Sequence, residues 1–385
     1  MKTLDRPKES TASGTPLGPY PGDKNMSGVK LNIPFPLIEF DPPVYNCKRA
    51  PFALKDVDGN LDKEFWQNAD FTEAFRDIEG PSMPSPRYET KAKMLWDDDN
   101  LYIGAILYGD EIWANQTEHD CVIFYDNDFE IFIDPDSDTQ EYIEYEMNAL
   151  GTYWDLLLTK AYRDLGSPIN SLEVKGIKNG VKIAGKLNVP DPENKFWSVE
   201  VVIPFETIAE CDISRKAPMA GDFYRMNFSR VQWKVDKSGS KYSKILSKET
   251  GKPLPEDNWV WSPTGVINIH YPELWGYVFF CESDETYKIP ETEKIKWELR
   301  KVYYAEHAYF DENGVYTADK DNISEIFSRY LDSSSMNEIC LDEYKLTATD
   351  SFFEAAAYTR DKTSLVCLSS DGKTTVKGGT IMTKS

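Results

Sequence analysis

The chain of 385 residues lacks several features whose absence excludes whole classes of protein. Positive charge is scarce, because 43 lysines and arginines stand against 65 aspartates and glutamates, for a formal net charge of −22. Nucleic acids and anionic membranes attract positive fields, so neither is an expected partner. No apolar run approaches the roughly 20 residues of a membrane-spanning helix. The six cysteines include no CxxC pair, so the sequence does not predict a zinc or redox motif.

The first 30 residues also lack the apolar stretch of a signal peptide. Read as it stands, the sequence predicts a cytoplasmic protein, whereas a leader removed from its start would place it outside the cytoplasm. Residues 1–30 are rich in Pro, Gly, Ser and charge, which predicts a disordered leader.

Aromatic residues, in contrast, are abundant. They make up 13% of the chain, with ten Trp and 22 Tyr. Such residues fill the cores of large β-sandwiches and also form flat platforms for ligands such as sugar rings. The hydrophobic share of 41% is sufficient for a packed core.

Residues 120–154 contain two runs, 129–134 and 142–148, in which apolar and polar side chains alternate. In both runs the odd-numbered residues are apolar, and the even-numbered residues include most of the carboxylates. Successive side chains of a strand point to opposite faces, so the pattern predicts an antiparallel hairpin with an odd-numbered core face. Carboxylates on the other face require water, a metal or a ligand to receive them.

Further short strands with turn residues between them continue to about residue 282, and one predicted hairpin turns at Asn179-Gly180. They predict a mainly β protein built on an antiparallel β-sandwich of jelly-roll or immunoglobulin-like type. Near Ser283 the composition changes to a helical pattern over 291–310, followed by two strand-like runs. We therefore predict a leader over 1–30, a sandwich over 31–283 and a small α+β unit over 284–385.

Three stretches occur in an order and spacing that resemble the family 9 carbohydrate-binding modules and their DOMON-type relatives. They are DGNLDKEFWQNA (58–69), KMLWDDDNLYIGAILYGDE (93–111) and DNDFEIFID (126–134). The later pieces GDFYRMNFSRVQW, NWVWSP and HYPELWGYVFF are similar to the end of such a domain. The resemblance implies a sugar-binding β-sandwich with structural calcium. The C-terminal unit resembles the globular part of type IV pilin-like proteins in its Tyr303-Tyr-Ala and Asn313-Gly-Val-Tyr-Thr segments.

In the resembling family, two aromatic side chains grip a sugar ring while carboxylate and amide groups bond its hydroxyls. The family's strand carboxylate falls on Glu130, and the first aromatic falls on Phe124 or Tyr125. The second aromatic falls on Ile269, an aliphatic residue. The candidates to replace it are Trp113, His270, Tyr271 and Trp275.

We predict a sugar site that joins the family position to polar residues of the neighbouring strands. Its predicted residues are Glu130, Glu146, Asn148, Arg225, Trp113 and Tyr125. The hairpin connection carries Asp134, Asp136 and Asp138 at alternate positions, and carboxylate oxygens are the ligands that Ca²⁺ takes. The sequence therefore predicts a structural calcium ion there, with an acidic turn as the alternative.

The predicted function is non-catalytic binding of an oligosaccharide or polysaccharide. One alternative is a glycoside-cleaving enzyme or an accessory module of one, which would need two carboxylates roughly 5–10 Å apart. A second alternative is a haem-binding sandwich, since some DOMON-type relatives hold haem. Its axial ligands would come from His119, His270, His307 or Met94.

Overall fold

The computed structural model describes residues 31–331, 339–341 and 343–378. The predicted disordered leader, residues 1–30, lies outside the described residues. The strands are β1 Val44–Arg49, β2 Arg76–Asp77, β3 Thr90–Trp96, β4 Asn100–Tyr108, β5 Asp128–Asp134, β6 Gln140–Asn148, β7 Tyr153–Lys160, β8 Pro168–Ile169, β9 Lys178–Ala184, β10 Phe196–Pro204, β11 Phe223–Gln232, β12 Val235–Asp236, β13 Ser243–Lys244, β14 Asp257–Val260, β15 Gly276–Cys281, β16 Lys345–Thr349, β17 Phe352–Tyr358, β18 Ser364–Ser369 and β19 Thr374–Gly378. The α-helices are α1 Phe205–Ile208, α2 Glu291–Asn313 and α3 Lys320–Tyr330, and short 3₁₀ helices cover Glu64–Trp66, Ile123–Tyr125, Tyr162–Asp164, Ala209–Cys211 and Pro272–Leu274.

Thirteen strands of the described chain form one hydrogen-bonded sheet that curls into the two layers of a β-sandwich. The strands β8-β7-β6-β5-β11-β15 make the first layer, and β3-β4-β10-β9 make the second. Strand β1 joins them by pairing in parallel with both β15 and β3. The predicted fold class, a mainly β protein with a sandwich, is confirmed.

The core lies between the two layers, and the alternation along β5 and β6 decides which residues enter it. Phe129, Ile131 and Ile133 of β5 are fully buried in the core beside Tyr145 and Met147 of β6. The even-numbered residues of both strands consequently leave from the other face of the first layer. The predicted hairpin of residues 129–148 is confirmed in its strands, its antiparallel pairing and its choice of core face.

The hairpin predicted at Asn179-Gly180 is wrong. Both residues lie inside β9, which pairs with β10 over its whole length. The glycine serves a close approach instead of a turn, because a β-carbon on Gly180 would lie 2.3 Å from the carbonyl oxygen of Val57.

The C-terminal unit consists of α2, α3 and an antiparallel sheet in the order β16-β17-β18-β19. The predicted boundary near Ser283 lies in the connection between β15 and α2. The core of this unit also takes in side chains from outside it, including Phe35 of the segment before β1 and Leu274 of the loop before β15. The resemblance of this unit to pilin-like proteins stays a prediction. Within the described residues, no helix combines the length and apolar character needed to cross a membrane.

Five buried charged residues, which we call the ionic joint, connect the sandwich to helix α2. They are Arg163, Arg225, Glu273, Glu293 and Arg300. Arg163 donates to Glu273 at 2.8 Å, and Tyr304 of α2 donates to the same carboxylate. Burial alone would raise the pKa of Glu273, but Arg163 and Arg300 lower it to about 2. The joint therefore holds its charges by pairing them internally.

Candidate functional site

Four carboxyl groups meet on the outer face of the first layer, and we call them the acidic cluster. They are Asp128 and Glu130 of β5 and Glu144 and Glu146 of β6. Glu130 lies directly opposite Glu146 in the strand register. Carboxylate oxygens of Asp128, Glu130 and Glu146 lie within 4.8 Å of one another. Because the side chains leave from paired strands, the backbone ladder itself holds them together.

Burial raises the pKa of every member of the acidic cluster, and the neighbouring carboxylates raise it further. The pKa of Glu144 rises to about 8 through burial and the charge of Glu130. That of Glu130 rises to about 7, although a hydrogen bond from Ser229 works against the shift. The pKa values of Asp128 and Glu146 lie well above their usual range for the same two reasons. Desolvated like charges thus repel one another here, and the cluster retains protons near neutral pH.

Several polar atoms at this face are buried without a hydrogen-bond partner among the described residues. They are Asp128 Oδ2, Glu144 Oε2 and the indole nitrogen Nε1 of Trp154. Trp154 lies opposite Glu146 in the pairing of β6 with β7, so its indole leaves from the same face. Buried polar groups are nearly always hydrogen-bonded, so two acceptors and one donor without partners mark a place where a ligand or water belongs.

Three aromatic rings border the acidic cluster, and we call them the aromatic cage: Trp113, Tyr125 and Trp233. They surround the ammonium group of Lys244, whose Nζ lies 3.2 Å from the centroid of the Trp233 ring, 5.6 Å from Trp113 and 5.7 Å from Tyr125. Burial lowers the pKa of Lys244 to about 8. Tyr125 remains 47% exposed, so the cage is the side of the site nearest to solvent.

Backbone contacts join the cage to the cluster. The backbone N–H of Phe124 donates to Glu146 Oε2 at 3.1 Å, and the carbonyl of Phe124 accepts from Trp233 Nε1 at 2.8 Å. The backbone N–H of Val231 donates to Asp128 Oδ1 at 3.3 Å. The loop before β5 and the end of β11 therefore hold the carboxyl groups and the rings in one site.

The structure brings four of the six predicted sugar-binding residues into this site. Glu130 and Glu146 belong to the acidic cluster, and Trp113 and Tyr125 belong to the aromatic cage. Asn148 shares their strand face, but its side chain is occupied. Its amide donates to Gln116 and Asp126, and its carbonyl accepts from the turn that follows β6. Asn148 consequently positions the loop that carries Tyr125.

Arg225 lies apart from the acidic cluster. On β11 it is opposite Asp134, whereas Ser229 is opposite Glu130, so about 13 Å of strand separates them. Its guanidinium donates to the backbone carbonyls of Trp275 and Glu273. The prediction that Arg225 lies on the outer face is correct. The structure, however, places it at the end of this face that contacts helix α2 and not beside Glu130.

Several residues of this site were missing from the predicted set: Asp128, Glu144, Trp154, Trp233 and Lys244. The even-numbered alternation of β5 and β6 includes the first two, and it continues to Trp154 across the next turn. Lys244 carried no local signal, because it lies on the β12–β13 hairpin and reaches the cage only through the tertiary fold.

The position of the second clamp aromatic is aliphatic in the structure as in the sequence. Ile269 is half-buried beside Trp275, whose indole donates to the Ile269 carbonyl. Trp275, Tyr271 and His270 are themselves buried and cannot offer a free ring face. Of the suggested replacements, Trp113 is the one that belongs to the aromatic cage.

The predicted calcium ligands also lie together. Oxygens of Asp134, Asp136 and Asp138 are within 4.8 Å of one another. Asp134 Oδ2 accepts from the backbone N–H of Thr139 at 2.9 Å, whereas Asp134 Oδ1 is buried without a partner among the described residues. Burial and the charge of Asp138 raise the pKa of Asp136 to about 6. A lysine, Lys373, pairs with Asp138 at 2.8 Å and offsets part of the negative charge.

The ligands that the haem alternative requires are engaged in other contacts. His270 Nδ1 lies 2.9 Å from the hydroxyl of Tyr142, His307 Nε2 lies 2.9 Å from the carbonyl of Ser370, and His119 Nε2 lies 3.1 Å from Asp155. Burial lowers the pKa of His270 to about 3, so it is neutral at physiological pH. Met94 lies in the sandwich core.

A large groove is present elsewhere in the described part of the chain. It has a volume of about 1620 Å³ and lies in the C-terminal unit, where Pro290, Tyr344 and Tyr358 contribute to its walls. None of the predicted site residues lines it, and its carboxylates do not converge.

Residues 57–250 match a family model described as "Carbohydrate family 9 binding domain-like". Two solved structures similar to this chain are complexes of a family 9 carbohydrate-binding module from Caldicellulosiruptor kristjanssonii. The complex with cellotriose is 14% identical, covers 64% of this chain and 98% of its own, and has a TM-score of 0.41. The complex with glucose is 15% identical, covers 64% and 99%, and has a TM-score of 0.39. A protein of Bacteroides uniformis ATCC 8492 is 17% identical, covers 62% and 100%, and has a TM-score of 0.46. No curated protein matches the chain.

Proposed function

The chain belongs to the family of carbohydrate family 9 binding domain-like proteins, and we propose on that basis that it binds an oligosaccharide or the end of a polysaccharide at the acidic cluster. One observation carries the proposal. The face that bears Glu130, the position of the family's strand carboxylate, also bears the buried acceptors of Asp128 and Glu144 and the buried donor of Trp154 that no described residue satisfies.

Sugars have the chemistry to satisfy these atoms. A hydroxyl group can donate to a carboxyl oxygen and accept from an indole N–H at the same time. The groups that would receive it are held on the rigid ladder of β5, β6 and β7, so little conformational entropy is lost on binding. The exposed ring of Tyr125 offers the apolar face against which a sugar ring stacks.

We infer that a ligand reaches the cluster past the β12–β13 hairpin, because the charge of Glu256 acts both on Glu130 and on Lys244 of this hairpin. Glu130 and Glu144 are each only 6% exposed, and Lys244 of this hairpin occupies the aromatic cage. Binding therefore requires the hairpin to shift and the Lys244 ammonium to leave the Trp233 ring. This displacement costs part of the binding energy, and we expect affinity to be weak and driven by enthalpy.

Isothermal titration calorimetry with neutral and charged oligosaccharides tests the proposal. Glu130→Gln should reduce affinity by roughly 1–3 kcal/mol, the scale for losing a charge-assisted hydrogen bond. Trp113→Ala should also weaken binding, whereas Glu354→Gln, an exposed carboxylate on β17, should leave it unchanged. A glycan that binds both site variants as tightly as it binds the wild type would place the sugar site elsewhere. Incubation of the same glycan followed by product analysis should show no cleavage, and a product would favour the glycosidase alternative.

We further propose that Asp134, Asp136 and Asp138 hold a calcium ion. The unpartnered Asp134 Oδ1 and the convergence of the three carboxylates support this. An ion there would supply the positive charge that Lys373 supplies only in part. It would also stabilise the connection between β5 and β6, to which Thr374 of β19 and Ile213 are hydrogen-bonded.

A ligand that binds only the native state raises the melting temperature by mass action. At a ligand concentration about one hundred times the dissociation constant, the free energy of unfolding increases by about 2.7 kcal/mol. Wild-type protein should therefore melt at a higher temperature in excess Ca²⁺ than in EGTA, and Asp134→Asn should remove most of the difference. Coincident melting curves for the wild type in the two conditions would refute the calcium site.

A further inference from the structure

The acidic cluster contains no positive charge of its own. The charged groups that act on its four members are all carboxylates: the members themselves, together with Asp126 and Glu256. Buried charges in proteins are normally paired or bound to a cation. The cluster therefore requires either protons or a positively charged ligand group.

The hydrogen-bonding capacity of the site is equally one-sided. The buried atoms without partners include two carboxyl oxygens, Asp128 Oδ2 and Glu144 Oε2, against one donor, Trp154 Nε1. The backbone donor nearest to Glu146, the N–H of Phe124, is already used. A neutral hydroxyl brings one donor, whereas an ammonium group brings three donors and a full charge. A ligand that presents an ammonium group complements this site better than one that presents only hydroxyls.

The aromatic cage provides an observation that is independent of the carboxylates. It already holds an ammonium group, that of Lys244, at 3.2 Å from the centroid of Trp233 with Trp113 and Tyr125 on either side. Aromatic faces attract cations through their negative quadrupole. The aromatic cage thus accommodates a largely desolvated ammonium group, which a cationic ligand could replace.

We propose that the site prefers sugars with a free amino group, that is, oligosaccharides of 2-amino-2-deoxyglucose, over neutral sugars of the same length. The ligand's ammonium group faces Asp128, Glu130, Glu144 and Glu146, and its ring lies against the aromatic cage. This inference rests on the proposed function and specifies the ligand of the same site.

The test compares three β-1,4-linked trisaccharides by calorimetry: one of glucosamine, one of N-acetylglucosamine and one of glucose. Acetylation removes the charge and keeps the ring, so it serves as the matched ligand control. The glucosamine trimer should bind at least about tenfold more tightly than either neutral trimer. Its advantage should shrink as salt is added, although less than for an exposed ion pair, because the carboxyl groups are buried.

Matched variants locate the effect. Glu130→Gln and Glu144→Gln should each reduce the preference for the glucosamine trimer, whereas Glu354→Gln should retain it. Loss of folding is not expected in the two site variants, because each removes a charge from a group of repelling charges. Circular dichroism melts of the three variants check this directly.

The outcomes separate the inference from the proposed function. If the neutral trimers bind as tightly as the glucosamine trimer and depend on Glu130, carbohydrate binding stands and the amino-sugar preference is overturned. If none of the trimers binds, the amino-sugar preference is overturned, and the titrations with other neutral and charged oligosaccharides decide whether the proposed function stands. If binding of any trimer requires added Ca²⁺, is abolished by EGTA, and keeps this dependence in the Asp134→Asn variant, the carboxyl groups of the acidic cluster serve a metal ion, and the amino-sugar assignment is again overturned.

Discussion

The acidic cluster and the ionic joint are both buried groups of charged side chains at the outer face of the first layer, which the joint reaches through Arg225, yet their electrostatics are opposite. In the joint, arginines lower the pKa of Glu273 to about 2 despite its burial. In the cluster, burial and neighbouring carboxylates raise the pKa of Glu144 to about 8. The strand β11 passes both, with Arg225 at the joint and Ser229 opposite Glu130.

The opposite pKa shifts of Glu273 and Glu144 distinguish charged groups that serve the structure from charged groups that are available to a ligand. In the joint each carboxylate has an arginine beside it, so opposite charges are paired within the chain and connect the sandwich to α2. Three arginine nitrogens of the joint, Arg163 Nε, Arg300 Nε and Arg300 Nη1, still have no hydrogen-bond partner among the described residues. Within the described part of the chain, the acidic cluster has no cationic partner, and two of its buried oxygens, Asp128 Oδ2 and Glu144 Oε2, have no hydrogen-bond partner. Burying like charges destabilises the fold, and a protein that retains such a group is a candidate for using it in binding.

Removing the C-terminal unit eliminates the joint and should have the largest effect. A chain that ends at Ser283 should still unfold cooperatively, because the sandwich core contains no residue beyond Phe280. Its stability should fall by more than the ~3–5 kcal/mol expected for breaking one buried ion pair, since Arg225 loses Glu293 and the core shared with α2 is exposed. Calorimetric melting of the full and shortened chains measures the cooperativity of unfolding and the loss of stability. A broad, non-cooperative transition of the shortened chain would show that the C-terminal unit completes the sandwich.

Replacing a glutamate by glutamine should change the free energy of unfolding in opposite directions in the two regions. Glu273→Gln leaves Arg163 without its paired charge and should cost about 3–5 kcal/mol. Glu144→Gln removes one of several repelling charges and should be neutral or stabilising near pH 8. Urea denaturation at that pH compares the two variants with the wild type. Destabilisation by Glu144→Gln of a similar size would mean that the acidic cluster is structural, like the joint.

The pH dependence of stability should also separate the regions. The folded pKa of Glu144 lies above the ~4.3 of an unfolded glutamate, so the folded state binds more protons and stability falls as pH rises from about 4.5 to 8. For Glu273 the folded pKa is lowered, so its contribution is lost as pH falls from about 4.5 towards 2.

The neighbours that act on Glu144 are Glu130 and Glu146, and it acts in turn on Tyr142 and Tyr162. Above about pH 6 the melting temperature should decline less steeply with pH in Glu144→Gln than in the wild type. The corresponding difference in the free energy of unfolding at pH 8 should be roughly 1–3 kcal/mol. Curves that stay parallel across this range would contradict the raised pKa of Glu144.

The smallest effect concerns Lys244, whose ammonium group contacts the rings of the aromatic cage. Lys244→Met keeps the apolar stem and removes the ammonium group that a cationic ligand must displace. Affinity for the glucosamine trimer should rise by about two- to tenfold, within the range of a single cation–π contact. Lys241→Met, at an exposed position of the same hairpin, is the control. Unchanged binding in Lys244→Met would show that the cage is not part of the ligand's path.

Much of this fold followed from local pattern. The odd-numbered core face of residues 129–147, the helix over 291–310 and the sandwich class are all confirmed, because periodicity reflects which side chains are buried along one element. The predicted turn at Asn179-Gly180 was wrong because a tertiary contact, which local pattern does not reveal, explains the glycine. A glycine required by the nearby Val57 backbone is indistinguishable in sequence from a glycine required by a turn.

The sequence by itself determined that carboxylates would gather on one face of the β5–β6 hairpin, since strand alternation is a local property. Only the tertiary structure decided which cations would reach them. Arg225 and Glu130 lie far apart in the chain but on neighbouring strands, and the register of β11 against β5 places Ser229, not Arg225, opposite Glu130. The arginine instead donates to the backbone carbonyl of Glu273. Lys244 likewise meets Trp113 and Tyr125, which lie far earlier in the chain, only through the tertiary fold. Charge pairing depends on distances of a few ångströms between segments far apart in the chain, and those distances are set by packing.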